Sequence, residues 1–329
     1  MKRNRRRLAA LLCALAAMLL PVQALAAGSI DLKREVSLTV SCQDGGKPLS
    51  GIKYDLYLVA TVEENGELTA TKEFAAFPVD IRGRNDEAWQ TLAATLEGYV
   101  LRDGLKPADS GQTNQAGRAA FPTEGKALTP GLYLVLGSRI TLNGYRYEPA
   151  PFLVQLPALD AERNAWSYEV TAGAKYESWK ETGGGTVMRK VLKVWKDAGQ
   201  EQERPEKVEV QLLRDGKVYD TVTLSAQNSW RYTWTELSDQ YSWTVVEKEQ
   251  KGYTASIARE GITFVVTNTS DGRGTGNPAP TATPKPSQSG QKLPQTGQLW
   301  WPVPLLICAG LLFVVIGLVR RRGMENEKK

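Results

Sequence analysis

The 329-residue chain contains no histidine. Every mechanism that needs an imidazole as base, acid or metal ligand is therefore closed to it, including hydrolysis by Cys–His or Ser–His pairs. Cysteine is nearly as scarce. Of the three, Cys13 and Cys308 lie in apolar runs near the two ends, and Cys42 stands alone between them. A single thiol forms no intramolecular disulfide, and without further context it reads as an inert small hydrophobe. No Gly-rich phosphate loop, paired-cysteine metal site or acidic calcium loop occurs, so no cofactor and no metal is expected. A secreted-enzyme reading has little support without histidine, although these absences leave carboxylate-only glycoside hydrolysis open.

What is present is concentrated first at the ends. Lys2, Arg3 and Arg5 to Arg7 precede an apolar run over 8–20 and then Ala24-Leu25-Ala26. This is the pattern of a secretory signal peptide over 1–26, with Ala24 and Ala26 marking an A-x-A cleavage site. At the other end Leu293-Pro294-Gln295-Thr296-Gly297 is followed by an apolar run over 300–319 and by Arg320-Arg321-Arg322. The run has about the 20 residues that cross a hydrocarbon core, and the arginines after it supply cytoplasmic positive charge. The pentapeptide resembles the LPxTG sorting signal of Gram-positive surface proteins. That resemblance implies cleavage between Thr296 and Gly297 by a sortase, and transfer of the Thr296 carbonyl to a wall or pilus amine. The expected location is secreted and covalently attached to the cell wall, with a precursor that spans the membrane once before sorting.

The formal charge of +5 belongs to these ends. Five Lys/Arg lie in 1–26, and five Lys/Arg with two Glu lie in 297–329, which leaves 31 basic and 34 acidic residues between them, a net of about −3. An acidic mature segment gives no basis for a nucleic-acid partner.

Two composition breaks divide the interior. Residues 271–292 are rich in Gly, Pro, Ser and Thr and cannot bury a core, so they read as an extended tether through the wall. Residues 179–186 include Gly183-Gly184-Gly185 and read as a hinge. The fold class expected is mainly β: two tandem β-sandwich domains, Ig-like or prealbumin-like, over 28–178 and 187–270, flanked by the signal peptide and a C-terminal transmembrane helix, with 320–329 as a basic cytoplasmic tail. In the first unit Val36 to Val40 and Tyr54 to Val59 alternate, and Asn65-Gly66 is a hairpin signal. One segment departs from period two. Trp89, Leu92, Ala93, Leu96 and Val100 recur at helical spacing behind the possible caps Asn85 and Asp86, which predicts one inserted amphipathic helix.

Gly51-Ile-Lys-Tyr-Asp-Leu-Tyr57, Gly131-Leu-Tyr-Leu-Val135, Pro151-Phe-Leu-Val-Gln-Leu-Pro157 and Trp166-Ser-Tyr-Glu-Val170 together resemble the N-terminal domain of SpaA-type major pilins. Such domains often end in a Tyr-Pro-Lys motif whose lysine accepts the next subunit. The corresponding stretch here is Ala172-Gly173-Ala174-Lys175-Tyr176, so the resemblance implies Lys175 as a candidate acceptor, with Ala174 in place of the proline. Lys33 precedes the first strand of this unit, but its last strand, read over 166–170, holds no asparagine and Asn164 lies outside it; no cross-link is assigned here.

The second unit carries the chemistry. Alternate residues of a strand share a face, which groups Val191, Lys193 and Trp195, then Tyr241, Trp243, Val245 and Glu247, then Phe264, Val266 and Asn268. Three apolar faces thus offer a lysine, a glutamate and an asparagine to one core. Burial lowers the pKa of an amine and raises that of a carboxyl group, so a neutral Lys193 nucleophile beside a protonated Glu247 could form an isopeptide bond with Asn268 and release ammonia, with Glu247 as proton shuttle. The runs Lys193-Val-Trp195-Lys-Asp, Arg204-Pro205, Val208-Glu-Val-Gln-Leu-Leu-Arg-Asp-Gly216, Asn228-Ser-Trp230, Trp243-Thr-Val-Val-Glu247, Gly252-Tyr253 and Val266-Thr-Asn268-Thr269 resemble the Cna protein B-type domain in family order. The resemblance implies the same three roles for Lys193, Glu247 and Asn268. Trp230, Tyr232 and Trp234 are read as packing aromatics rather than a glycan-stacking stripe.

The expected function is a pilin subunit or pilin-like stalk, a sortase substrate rather than an enzyme, joined to peptidoglycan or to other pilin subunits. The alternative is an adhesin whose first unit binds a host matrix protein or glycan, with the second unit as spacer.

Overall fold

The computed structural model describes residues 28–82, 85–181 and 183–270. The signal peptide with Ala24 and Ala26, the tether over 271–292, Leu293 to Gly297, the apolar run over 300–319 and the tail over 320–329 lie outside the described residues. The described residues are mainly β with one long helix among them, α1, over Asp86–Asp103.

The first unit is built around a five-stranded sheet in which Phe152–Leu156, Gly131–Gly137, Lys53–Val62 and Leu68–Ala70 follow one another and Asp109–Gln112 also pairs with Lys53–Val62. Both faces of this sheet are covered, which explains why Gly131 to Leu136 is a continuous apolar run instead of an alternating one. Tyr133 and Val135 point to a core completed by Leu38, Val40 and Phe121. Those residues come from a three-stranded sheet in which Ser37–Ser41 lies between Arg118–Phe121 and Glu169–Gly173. Leu132, Leu134 and Leu136 point the other way, onto Leu92, Ala93, Leu96, Tyr99 and Val100 of α1. The helical spacing in the sequence is therefore the spacing of one buried stripe.

Local chemistry sets the limits of α1. The Asn85 side chain accepts the Ala88 N–H at 2.8 Å, and Asp86 and Glu87 occupy the positively polarised first turn. Of the two possible caps Asn85 is thus the N-cap, and Asp86 is the first helical residue. Gly104, at φ 62°, ends the helix in the left-handed region and returns its N–H to Leu101 O.

The strand expected over 166–170 is two short ones, Ala165–Ser167 and Glu169–Gly173, which belong to different sheets. A later strand, Tyr176–Lys180, pairs with Tyr145–Pro149, and Thr186 already begins the next strand. Ordered pairing thus reaches into both ends of the segment expected as a hinge. Glu181 N–H also donates to Gly144 O, and Asp239 N–H donates to Gly185 O.

The second unit is a two-sheet sandwich. One sheet has the order Arg231–Ser238, Thr186–Lys196, Thr263–Ser270, Tyr253–Glu260; the other has Lys217–Ser225, Lys207–Arg214, Trp243–Glu247. Val191, Val208, Leu212, Trp243, Val245, Phe264 and Val266 fill the space between them. The two units are not separate bodies. The described residues of both fall in one compact unit, and Leu213 and Val246 of the second unit are fully buried in the α1 core. On the far side, Arg139 and Arg146 both donate to Asp239 O, at 3.1 and 2.6 Å.

Because Asn85 caps the helix that joins the two cores, Asn85→Ala is expected to cost about 1 kcal/mol. Urea unfolding checks this: Asn85→Asp should retain most of the stability, and equal losses in both variants would place the effect outside the cap.

Candidate functional site

The site follows from strand register. Thr186–Lys196 runs parallel to Thr263–Ser270 with Lys193 opposite Val266 and Trp195 opposite Asn268. Lys193 and Asn268 are therefore two positions apart on adjacent strands, on the same inward face. Glu247 comes from the facing sheet, opposite Val210 in an antiparallel pair, and it points inward because Trp243 and Val245 do. Two sheets thus deliver three polar side chains to one apolar interior. Lys193, Glu247 and Asn268 are 3%, 1% and 1% exposed.

Within this interior the Glu247 carboxyl group bridges two nitrogens. Lys193 Nζ lies 3.6 Å from Oε2, and Asn268 Nδ2 donates to Oε1 at 3.1 Å. Nζ also donates to Val194 O at 3.2 Å and Val266 O at 3.4 Å, and it sits 4.3 Å above the Trp195 ring. Burial dominates the titration of both ionisable groups. It pulls the Lys193 ammonium down to about 8, although the neighbouring Glu247 charge opposes the shift. It pushes the Glu247 carboxyl up to about 7, against the effects of Lys193 and of the Asn268 hydrogen bond. Burial thus moves each group toward its uncharged form, the direction needed for an amine to act as a nucleophile beside a carboxylic acid.

A ring of residues around the trio fixes its wall. Trp195 packs edge-to-face on Trp230 and Tyr253, with centroids 5.3 and 5.2 Å apart. Tyr253 Oη donates to Asp197 at 3.2 Å, and Arg204 meets the same carboxylate through two hydrogen bonds of 2.7 and 2.5 Å. Arg204 holds the Asp197 carboxyl below the usual carboxylate range. In the sequence Asp197, Arg204 and Tyr253 stand in separate short motifs, and their type and spacing give no sign that they meet beside Trp195.

The other residues singled out in the sequence lie elsewhere. Lys175 is exposed, between Glu169–Gly173 and Tyr176–Lys180, with its carbonyl accepting from Ala150 N–H. It borders a cleft of about 1230 Å³ that is also lined by Glu97, Arg139, Glu148 and Arg259. Lys33 is exposed, and Asn164 sits in a turn at φ 48°. Cys42 is buried and free. Of the aromatic stripe, Trp234 enters the core and donates to Asp220, Trp230 packs on Trp195, and Tyr232 is exposed while its ring packs edge-on to Trp234. Beyond the stripe Glu236 adopts left-handed backbone at φ 58°, and the next buried position after Trp234 is Leu237, three residues on. Among the described residues no group of side chains is arranged to hold a metal ion.

Residues 189–269 match the family model of the Cna protein B-type domain. A collagen adhesin of Staphylococcus aureus is 36% identical over 77 residues, which is 22% of this chain and 6% of the adhesin. Among solved structures, a single B repeat unit of the Staphylococcus aureus collagen-binding surface protein is 18% identical, covering 72% of this chain and 98% of that one, with a TM-score of 0.25. The full-length major pilin SpaD from Corynebacterium diphtheriae is 17% identical, covering 73% of this chain and 65% of that one, with a TM-score of 0.31. The Corynebacterium diphtheriae major pilin SpaA is 18% identical, covering 78% and 66%, with a TM-score of 0.27.

The Lys193 charge is what restrains the Glu247 shift. Lys193→Met should therefore drive the Glu247 carboxyl above its value of about 7. A carboxyl-carbon NMR titration reads this directly, and an ordinary solvated glutamate value in the variant would contradict a dry chamber.

Proposed function

We propose that the chain is a structural surface protein of pilin type, attached by a sortase, whose second unit cross-links itself through an amide between Lys193 Nζ and the Asn268 side-chain carbon. The observation that carries the cross-link is the Glu247 carboxyl placed between the attacking and leaving nitrogens. The neutral amine adds to Asn268 Cγ; the Oε2 side of Glu247 takes a proton from Nζ, and a proton is delivered to Nδ2 on the Oε1 side. The Cγ–Nδ2 bond then breaks. An amine and a primary amide become a secondary amide and ammonia, Glu247 ends in its starting state, and no oxidant or cofactor enters. The reaction happens once per molecule, so the protein is its own substrate. The bond would close a loop of about 75 residues, worth about 4.5 kcal/mol in the chain-entropy treatment of cross-links.

The outgoing link is assigned to Thr296 in Leu293 to Gly297, with a sortase as the catalyst and peptidoglycan or another subunit as the acceptor. Lys175 is the proposed incoming acceptor. Its exposure on the segment after Glu169–Gly173 supports that role, because a transpeptidase needs an amine it can reach. The match over 189–269 supports the reading of the second unit.

A second reading draws on the collagen adhesin relative: the first unit would bind a host matrix protein, or a glycan, and the cleft at Lys175 offers the concave surface. Immobilised collagen and a glycan array distinguish the two, since the stalk reading expects no saturable binding to either.

The bond is tested by the intact mass of the full chain. The expected result is a deficit of one ammonia, with full mass in Glu247→Ala and in Asn268→Ala; full mass in the parent protein removes the cross-link. The rate should follow a bell in pH. The neutral fraction of Lys193 falls as the pH drops through about 8, the protonated fraction of Glu247 falls as it rises through about 7, and their product is greatest between the two. A rate that rises steadily to pH 10 would show that Glu247 is not needed as an acid.

Polymerisation is tested separately. In cells carrying the cognate sortases, Lys175→Ala should abolish covalent ladders on a denaturing gel while the monomer remains attached to the wall. Undiminished ladders would move the acceptor to another lysine.

A further inference from the structure

A two-sheet sandwich has open seams where the edge strands of its sheets meet. In the second unit one seam lies between Trp243–Glu247 and Tyr253–Glu260, each the edge of its own sheet. The first carries Glu247; the second pairs with the strand that carries Asn268, with Ala255 opposite Asn268 in register. Glu247 and the partner strand of Asn268 therefore border this seam. Helix α1 of the first unit packs against both edge strands.

The contacts are those of a fitted closure. The outward N–H of Ile257 donates to Thr95 Oγ1 at 2.7 Å, and that of Ala255 donates to Pro78 O at 2.6 Å. The free edge of the sheet is thereby satisfied by the first unit instead of by water. Thr95, itself fully buried, donates its own hydroxyl hydrogen bond to Thr91 O at 2.6 Å. Gly98 brings the helix against the Glu247 strand: a Cβ there would lie 2.8 Å from Val245 O and 3.3 Å from Val246 Cβ. Val246, next to Glu247, is completely buried among Phe77, Leu96, Tyr99 and Val100. At the end of the seam Arg102 pairs with Glu249 at 2.7 Å and lies over the Tyr99 ring.

We propose that α1 is a wall of the Lys193–Glu247–Asn268 chamber, so that the first unit must dock before the second can cross-link. This rests on the bond-forming reading of the trio. Gly98 and Thr95 act as positioning residues through the Val245–Glu247 and Ala255–Ile257 backbones; neither touches the reacting atoms. The consequence is an order of assembly. The second unit would be sealed by a bond only after it has been joined correctly to the first, and the bond would then record that docking.

The test uses the full chain made by cell-free synthesis. The share of Lys193–Asn268 linked peptide is read by digestion and mass spectrometry at successive times, with amide exchange at Ile257 reporting docking. In Gly98→Val the added side chain meets backbone, and linking should slow at least about tenfold, the neutral-amine population lost per unit of pKa as water enters. Thr95→Val, nearly isosteric, should speed exchange at Ile257 and slow linking to a smaller degree even if Gly98→Val fails to fold. In both, the two arms of the pH bell should move apart as Lys193 and Glu247 return toward solvated values, which a mere loss of stability would not produce. Linking at the parent rate and pH profile in a variant with fast Ile257 exchange overturns this inference and leaves the cross-link standing. Absence of linked peptide in the parent chain removes the cross-link itself, and the inference with it.

Discussion

An amine and a carboxyl group buried together in an apolar core are the constraint on which the second unit depends. Water would solvate both ions at no structural cost, whereas the interior must either pair them or neutralise them. Here it does some of each. Lys193 and Glu247 are close enough to pair at 3.6 Å, yet burial drives each toward its uncharged form. Such an arrangement is a poor source of stability while it remains non-covalent, because replacing a buried ion pair with apolar side chains is often neutral or better. Its persistence makes sense if the pair is consumed. Once the amine has become an amide nitrogen, no charge is left on Lys193 to desolvate, and Glu247 can rest protonated.

The first unit is packed on the second through one helix. The central sheet of the first unit is covered on both faces, and the helix that covers one face has a second job on its other sides. Leu92, Leu96 and Val100 serve the first core, while Thr95 and Gly98 serve the neighbouring strands. A threonine and a glycine inside a helix both lower intrinsic helical preference. Their presence in α1 follows from the closeness and the hydrogen bond needed against Val245 and Ile257, a tertiary demand that overrides propensity.

Much of this was legible in the sequence because the relevant signals are local. Period-two alternation placed Lys193, Glu247 and Asn268 on inward faces, and the 3.6-residue spacing of Trp89 to Val100 marked α1, with its cap left between Asn85 and Asp86. The juxtaposition of first and last strands was only suggested, since pairing partners are set by topology and no strand names its neighbour. The docking of the units was not legible at all. Its contacts run from Pro78 to Ala255, from Thr95 to Ile257, from Arg146 to Asp239 and from Arg259 to Glu177, each between residues far apart in sequence and individually ordinary. The glycines at 183 to 185 even pointed the other way. Composition measures what a segment can do alone, and this one is held by what lies on either side of it.

Topology also decides what a cross-link at this place would accomplish. Thr186–Lys196 is the first strand of the second unit and Thr263–Ser270 the last, and they lie side by side and parallel. Tension applied along the chain enters at the start of one and leaves at the end of the other, so it shears the whole row of hydrogen bonds between them at once. Shear of a parallel pair resists better than peeling, but it fails cooperatively when it fails. An amide from Lys193 to Asn268 spans that row. It would carry the load from the first strand to the last without passing through the residues between them, and the rest of the sandwich, Glu247 included, would hang from the bond instead of bearing the force. The residues that make the chamber would then be needed for forming the link, and the link alone for holding.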